Sequence, residues 1–109
     1  MSWYIVRVIL HNDRLAMSYA ALHQKMADIG FLRQMTSDNG TIVELPHGMY
    51  FGESYLDTPS VRDAVKNVAF TVDSNISVLA MQVPSWAAFN LTADFPLQAL
   101  SLLSLGGPR

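Results

Sequence analysis

A chain of 109 residues has room for one domain and one hydrophobic core, and a net charge of −2 argues against the basic surface that grips nucleic acid electrostatically. Half of the residues are hydrophobic and only 15% are charged, so some apolar surface is expected to end in an oligomer interface. No cysteine is present, which excludes disulfides, thiolate chemistry and cysteine-based metal sites.

The chain opens on Trp3-Tyr4-Ile5-Val6-Arg7-Val8-Ile9-Leu10, apolar at every position but one. β-Branched and aromatic side chains dominate it, as in a strand. Its two-residue period puts Tyr4, Val6, Val8 and Leu10 on one face and Trp3, Ile5, Arg7 and Ile9 on the other. Both faces are greasy, so the segment reads as a central strand with helices on one side. The side holding the lone charge is then a dimer surface or a binding platform. Eight residues are too few for a membrane span, and the N-terminus lacks the charged leader of a signal peptide, so a cytoplasmic protein without membrane contact is expected.

His11-Asn12-Asp13 reads as a turn, with Asn12 or Asp13 capping the helix that follows. Leu15, Tyr19, Leu22, Met26 and Ile29 recur at helical spacing, and Gly30 ends the helix. Phe31 to Thr36 and Thr41 to Leu45 read as strands around Asp38-Asn39-Gly40, a strong hairpin signal. Pro46 stops the second of them, because it lacks a ladder donor. After the His47-Gly48 turn, Met49 to Tyr55 is another strand, in which Gly52 marks a bulge or a close backbone approach. Thr58-Pro59 predicts a capped helix start, with Val61, Ala64, Val65, Val68 and Val72 inward and Arg62, Asp63, Lys66 and Asn67 outward. Ile76 to Val83 is the last strand, stopped by Pro84.

The order β-α-β-β-α-β, with a second strand that doubles back on itself, predicts an α+β fold, a ferredoxin-like sandwich over residues 1–84 with two helices on one face of an antiparallel sheet. Residues 85–109 form an apolar extension. Within it Asp94 to Leu105 suits a short helix whose leucines must bury on the domain or on a partner subunit.

Three histidines, His11, His23 and His47, lie on different elements without metal-ligand spacing, so no metal is expected. His23 falls one turn after Tyr19 at the edge of the buried stripe. It is either a half-buried structural histidine or a proton-transfer group. His11 with Asp13 is either an acid–base pair or ordinary turn chemistry. Arg7 needs an anion to offset desolvation on an apolar face. Its partner is Glu44 or Glu53 on a neighbouring strand, or else a phosphate with Trp3 or Phe51 stacking a base beside it.

Tyr4-Ile5-Val6-Arg7-Val8, then Tyr19-x-x-Leu22-His23-x-x-Met26 with Gly30-Phe31, then Asp38-x-Gly40 and Leu45-Pro46 before an aromatic strand, resembles the GhoS-like antitoxins of type V toxin–antitoxin systems. The likeness runs from about Trp3 to Val83. It implies a ferredoxin-like fold, similar to the small nuclease subunit of CRISPR adaptation. It also implies an endoribonuclease, since the founding antitoxin cleaves the message of a membrane-lytic toxin. A basic residue on the first helix is implicated in that activity, and His23 occupies the corresponding place here.

The resulting expectation is metal-independent RNA binding and cleavage at a face carrying Arg7 and His23. His23 and Arg7 are the catalytic candidates, and Trp3, Arg7, Arg33 and Phe51 the RNA-binding ones. No cofactor and no DNA are expected, and the chain is expected to be a homodimer. Two alternatives stand beside this reading: a non-catalytic dimeric interaction module, and a dimeric α+β-barrel enzyme acting on a small molecule. A pocket lined by His23 and aromatics between helices and sheet favours the barrel enzyme. A solvent-open face bearing Arg7 favours RNA.

Overall fold

The greasy opening segment becomes the middle strand of a sheet. In the computed structural model, which describes residues 1–13, 17–37, 40–89 and 91, the elements follow as β1 (Ser2–Leu10), α1 (Ser18–Asp28), β2 (Gln34–Thr36), β3 (Ile42–Glu44), β4 (Met49–Ser54), α2 (Thr58–Phe70) and β5 (Ile76–Gln82). The order is β4-β1-β5 and both pairings are antiparallel. Ile5 faces Phe51 on one side and Met81 on the other, and Arg7 faces Met49 and Leu79. A separate antiparallel hairpin joins β2 and β3, and one bridge from Leu32 to Phe51 ties the approach to β2 onto β4. The chain is therefore a small α+β domain with two helices and an antiparallel sheet. Among the described residues no helix is long and apolar enough to cross a membrane.

The alternation of β1 decides where the core sits. Tyr4, Val6, Val8 and Leu10 are buried and form the core with Leu22 and Met26 of α1 and Val61, Val65 and Ala69 of α2. Each fully buried Val, Leu or Met in this layer contributes on the order of 2 kcal/mol. Buried tyrosines bring hydroxyls that need partners, and the fold supplies them. Tyr4 donates to the Leu56 carbonyl at 2.6 Å, and Tyr19 Oη accepts the Leu10 N–H at 2.9 Å. The opposite face of β1 is open, with Trp3 45% exposed and Arg7 and Ile9 beside it.

Several boundaries differ from the sequence expectation for local reasons. α1 buries Tyr19, Leu22 and Met26, but Ile29 falls beyond the helix and is exposed. Asp13 reaches the start of α1, its carboxylate accepting the Ser18 N–H, while Asn12 binds Asp73 instead. Gly30, at φ 88°, ends α1 in the left-handed region as expected. The strand expected from Phe31 shrinks to Gln34–Thr36, because Phe31 turns into the core and Leu32 makes a single bridge. Gly40 keeps the positive φ of the expected hairpin, while Asp38 and Asn39 lie outside the described residues. The cap of α2 is Asp57, which accepts the Ser60 N–H at 2.9 Å, so Thr58 is the first helical residue rather than the cap. Leu15 and the expected tail helix also lie outside the described residues.

Candidate functional site

The pleat of β4 divides the candidate residues between two faces. Tyr50 pairs with Val6 and shares its buried side, while Phe51 and Met49 point the other way with Ile5 and Arg7. Three other elements bring polar side chains to the Tyr50 side. α1 presents Tyr19 and, one turn later, His23. The approach to β2 presents Arg33, and the turn between β3 and β4 presents His47.

His23 is half-buried, and its Nδ1 lies 2.7 Å from Tyr50 Oη. The rings meet edge to face, with centroids 5.6 Å apart. Burial, then the nearby Arg33 guanidinium and His47, hold the His23 imidazole below its ordinary 6.5, with Glu44 opposing weakly. The ring is thus neutral near pH 7. Burial also pushes the Tyr50 phenol up, so it stays protonated. Two tautomers satisfy the His23–Tyr50 contact. In one, Tyr50 donates to Nδ1. In the other, Nδ1–H donates to Tyr50 Oη and leaves the Nε2 lone pair for proton abstraction.

Tyr19 sits between the two imidazoles, its ring 4.2 Å from that of His47 and 6.4 Å from that of His23. Arg33 holds this arrangement in place. It donates to the carbonyls of Leu45, Pro46 and Met49, each at 2.7 Å, and so clamps the turn that carries His47. Its guanidinium also lies 5.8 Å from the Tyr50 ring centroid. These bonds use three of its five N–H groups, and among the described residues the buried Nε has no partner.

On the open face, Trp3 and Phe51 stack in parallel, with centroids 4.7 Å apart and planes 3° apart. They floor a groove of about 1310 Å³ whose other walls include Leu32, Gln34 and Trp86. Arg7 lies further along the same face. Among the described residues it makes no ion pair, so neither Glu44 nor Glu53 of its own chain serves it. Glu53 sits opposite Trp3, and Glu44 belongs to the separate hairpin.

The structure therefore groups Trp3, Phe51 and Arg7 on one face and His23 and Arg33 on the other. Within one chain His23 and Arg7 lie on opposite sides of the sheet: Arg7 alternates with buried Val6 and Val8, whereas His23 binds a residue on their side. His11 and Asp13 do not pair. His11 Nε2 lies 2.7 Å from Ser77 Oγ, and Asp13 serves α1. Sequence reasoning missed Tyr50 and the approach of His47. Tyr50 looked like one more aromatic in a strand, and no linear spacing joins three elements so far apart in the chain. Among the described residues no three His, Cys, Asp or Glu side chains converge as metal ligands. No protein-family model and no curated protein matches the chain.

Proposed function

We propose that the chain is a ferredoxin-like RNA-cleaving protein of the GhoS-like kind, with its reaction centre at the histidine cluster on the helix-covered side of the sheet. The strand order supports the fold half of this reading. With the Leu32–Phe51 bridge, the approach to β2 lies beside β4, which extends β5-β1-β4 toward the four-strand order of that fold.

The observation that carries the reaction is the placing of two imidazoles, His23 and His47, around Tyr19, with Tyr50 fixing one of them. Cleavage of RNA needs a base for the 2′-hydroxyl and an acid for the leaving 5′-oxygen. Neutral His23, its Nδ1–H held by Tyr50 Oη, takes the 2′-hydroxyl proton at Nε2 and becomes an imidazolium. The 2′-oxygen attacks phosphorus, the bond to the 5′-oxygen breaks, and His47 in its protonated form donates to that oxygen. The products are a 2′,3′-cyclic phosphate and a 5′-hydroxyl. The Arg33 charge stabilises the crowded phosphate from behind the turn.

The test is incubation of the pure protein with a mixed RNA pool, with and without EDTA, followed by analysis of the new ends. Cyclic phosphate ends that form equally in EDTA are the expected result. His23→Asn and His47→Asn should each lower the rate about a hundred-fold or more while the fold survives. RNA left intact by the wild-type protein would leave the interaction module as the better account.

A further inference from the structure

The open sheet face has a pattern that the histidine cluster does not use. Its middle row is wholly apolar: Phe51, Ile5 and Met81 lie side by side across the three strands. The row on one side holds Glu53 and Trp3, and the row on the other holds Met49, Arg7 and Leu79. Among the described residues the three strands put one cation and one anion on this face, set at equal steps on either side of the apolar row. Within one chain they lie four residues apart along the strands, roughly 13 Å, and they form no ion pair.

We infer that this face is the interface of a two-fold dimer of the chain, in which Arg7 of each copy lies against Trp3 of the partner subunit, with Glu53 of the partner subunit beside it. A two-fold axis laid across the strands over Phe51, Ile5 and Met81 turns each outer row onto the other. Arg7 then meets the partner's Trp3 ring and the partner's Glu53 carboxylate, and the same contacts recur in reverse. Sheets packed face to face lie about 10 Å apart, a gap that an extended arginine bridges. The guanidinium gains a cation–π contact and a carboxylate at once, which offsets its desolvation among apolar side chains.

Apolar exposure and charge both select a second copy as the occupant. Leu79 is 57% exposed and Met81 43% on the edge strand β5, and Trp3 is 45% exposed on the central strand β1. Together with Ile9, 38% exposed, these side chains make one contiguous apolar patch, the kind of surface that marks an interface with another protein surface. RNA finds little here, since Arg7 and Glu53 cancel and leave no net charge to hold a phosphate chain. A copy of the same face finds each of its charges answered. This dimer does not depend on the cleavage reaction, which lies on the other side of the sheet.

Light scattering across a dilution series, joined to a charge swap, tests it. The wild-type chain should reach twice its 12.1 kDa mass at micromolar concentration. Arg7→Glu and Glu53→Arg should each weaken association about tenfold or more, by setting like charges opposite each other. The double variant Arg7→Glu/Glu53→Arg should restore it. Both side chains are exposed, so circular dichroism should report an unchanged fold in all three variants. A wild type that stays at 12.1 kDa throughout, single variants that associate like the wild type, or a double variant as weak as the single ones would each overturn the dimer. A monomeric wild type that cross-links through Trp3 to an added RNA pool would overturn it in favour of a nucleic-acid platform.

Discussion

His23 is held in its neutral form by its surroundings, and this has consequences for stability as well as for chemistry. The folded ring binds a proton more weakly than the ordinary 6.5, mainly because it is buried and secondly because Arg33 is near. As pH falls below about 6.5 the unfolded chain therefore takes up a proton that the folded chain resists, and stability drops until the folded ring titrates too. Urea unfolding between pH 7.5 and about pH 5 should show this loss, with a shallower slope in His23→Gln. On the acid side the cleavage rate should fall only at pH values below the ordinary imidazole range, because the His23 base stays neutral until then. Tyr50→Phe keeps the buried ring and removes only the oxygen that orients His23, so it should cost about 1 kcal/mol of stability and a larger share of the cleavage rate. Gly52 meets a different constraint. A β-carbon there would strike the Gly30 carbonyl and the Phe31 ring, which pack over β4. Gly52→Ala should destabilise by about 1–3 kcal/mol in the same denaturation experiment.

At the level of elements, what the sequence showed follows from how local each signal is. The alternation of β1 was readable because period two over eight residues leaves a single choice of inward face, and Tyr4, Val6, Val8 and Leu10 are buried as it requires. The outward face of α2 was readable from the three- and four-residue spacing of a helix, through Arg62, Asp63, Lys66 and Asn67. The start of α2 was misread by one residue because Thr58 and Asp57 both suit a cap, and only the chain path shows which carboxylate or hydroxyl reaches the Ser60 N–H. The Ser60 side chain, and after it the Ser60 N–H, holds the Asp57 carboxyl below its ordinary range. Its stabilising effect is present at neutral pH and is lost as pH falls through that lowered value. Asp57→Ala should lower the melting temperature by roughly 5 °C at pH 7, with the difference from wild type shrinking in acid. The shortened β2 was not legible, because Phe31 and Leu32 fit a strand pattern and nothing local says that one of them turns into the core.

The whole molecule is two-sided, and the two sides were unequally visible in the sequence. The β1 part of the open face, Trp3, Ile5, Arg7 and Ile9, could be listed from the alternation alone, but the histidine cluster could not. His23, Arg33, His47 and Tyr50 come from four segments whose meeting is set by the β4 register and by the three carbonyls that Arg33 ties together. The sheet that separates these sides also separates the proposed activities. If two copies join through the open face, their histidine clusters point away from each other, and neither supplies a group to the other's reaction. The cleavage rate per protomer should then be the same below and above the concentration at which the chain dimerises. Initial rates at fixed RNA, taken across the dilution series used for light scattering, measure this directly. A straight line through the origin is the expected plot of rate against total protein. A rate that rises with the square of concentration in the dilute range would show that the centre draws on both subunits, and would move it from the helix-covered side to the interface.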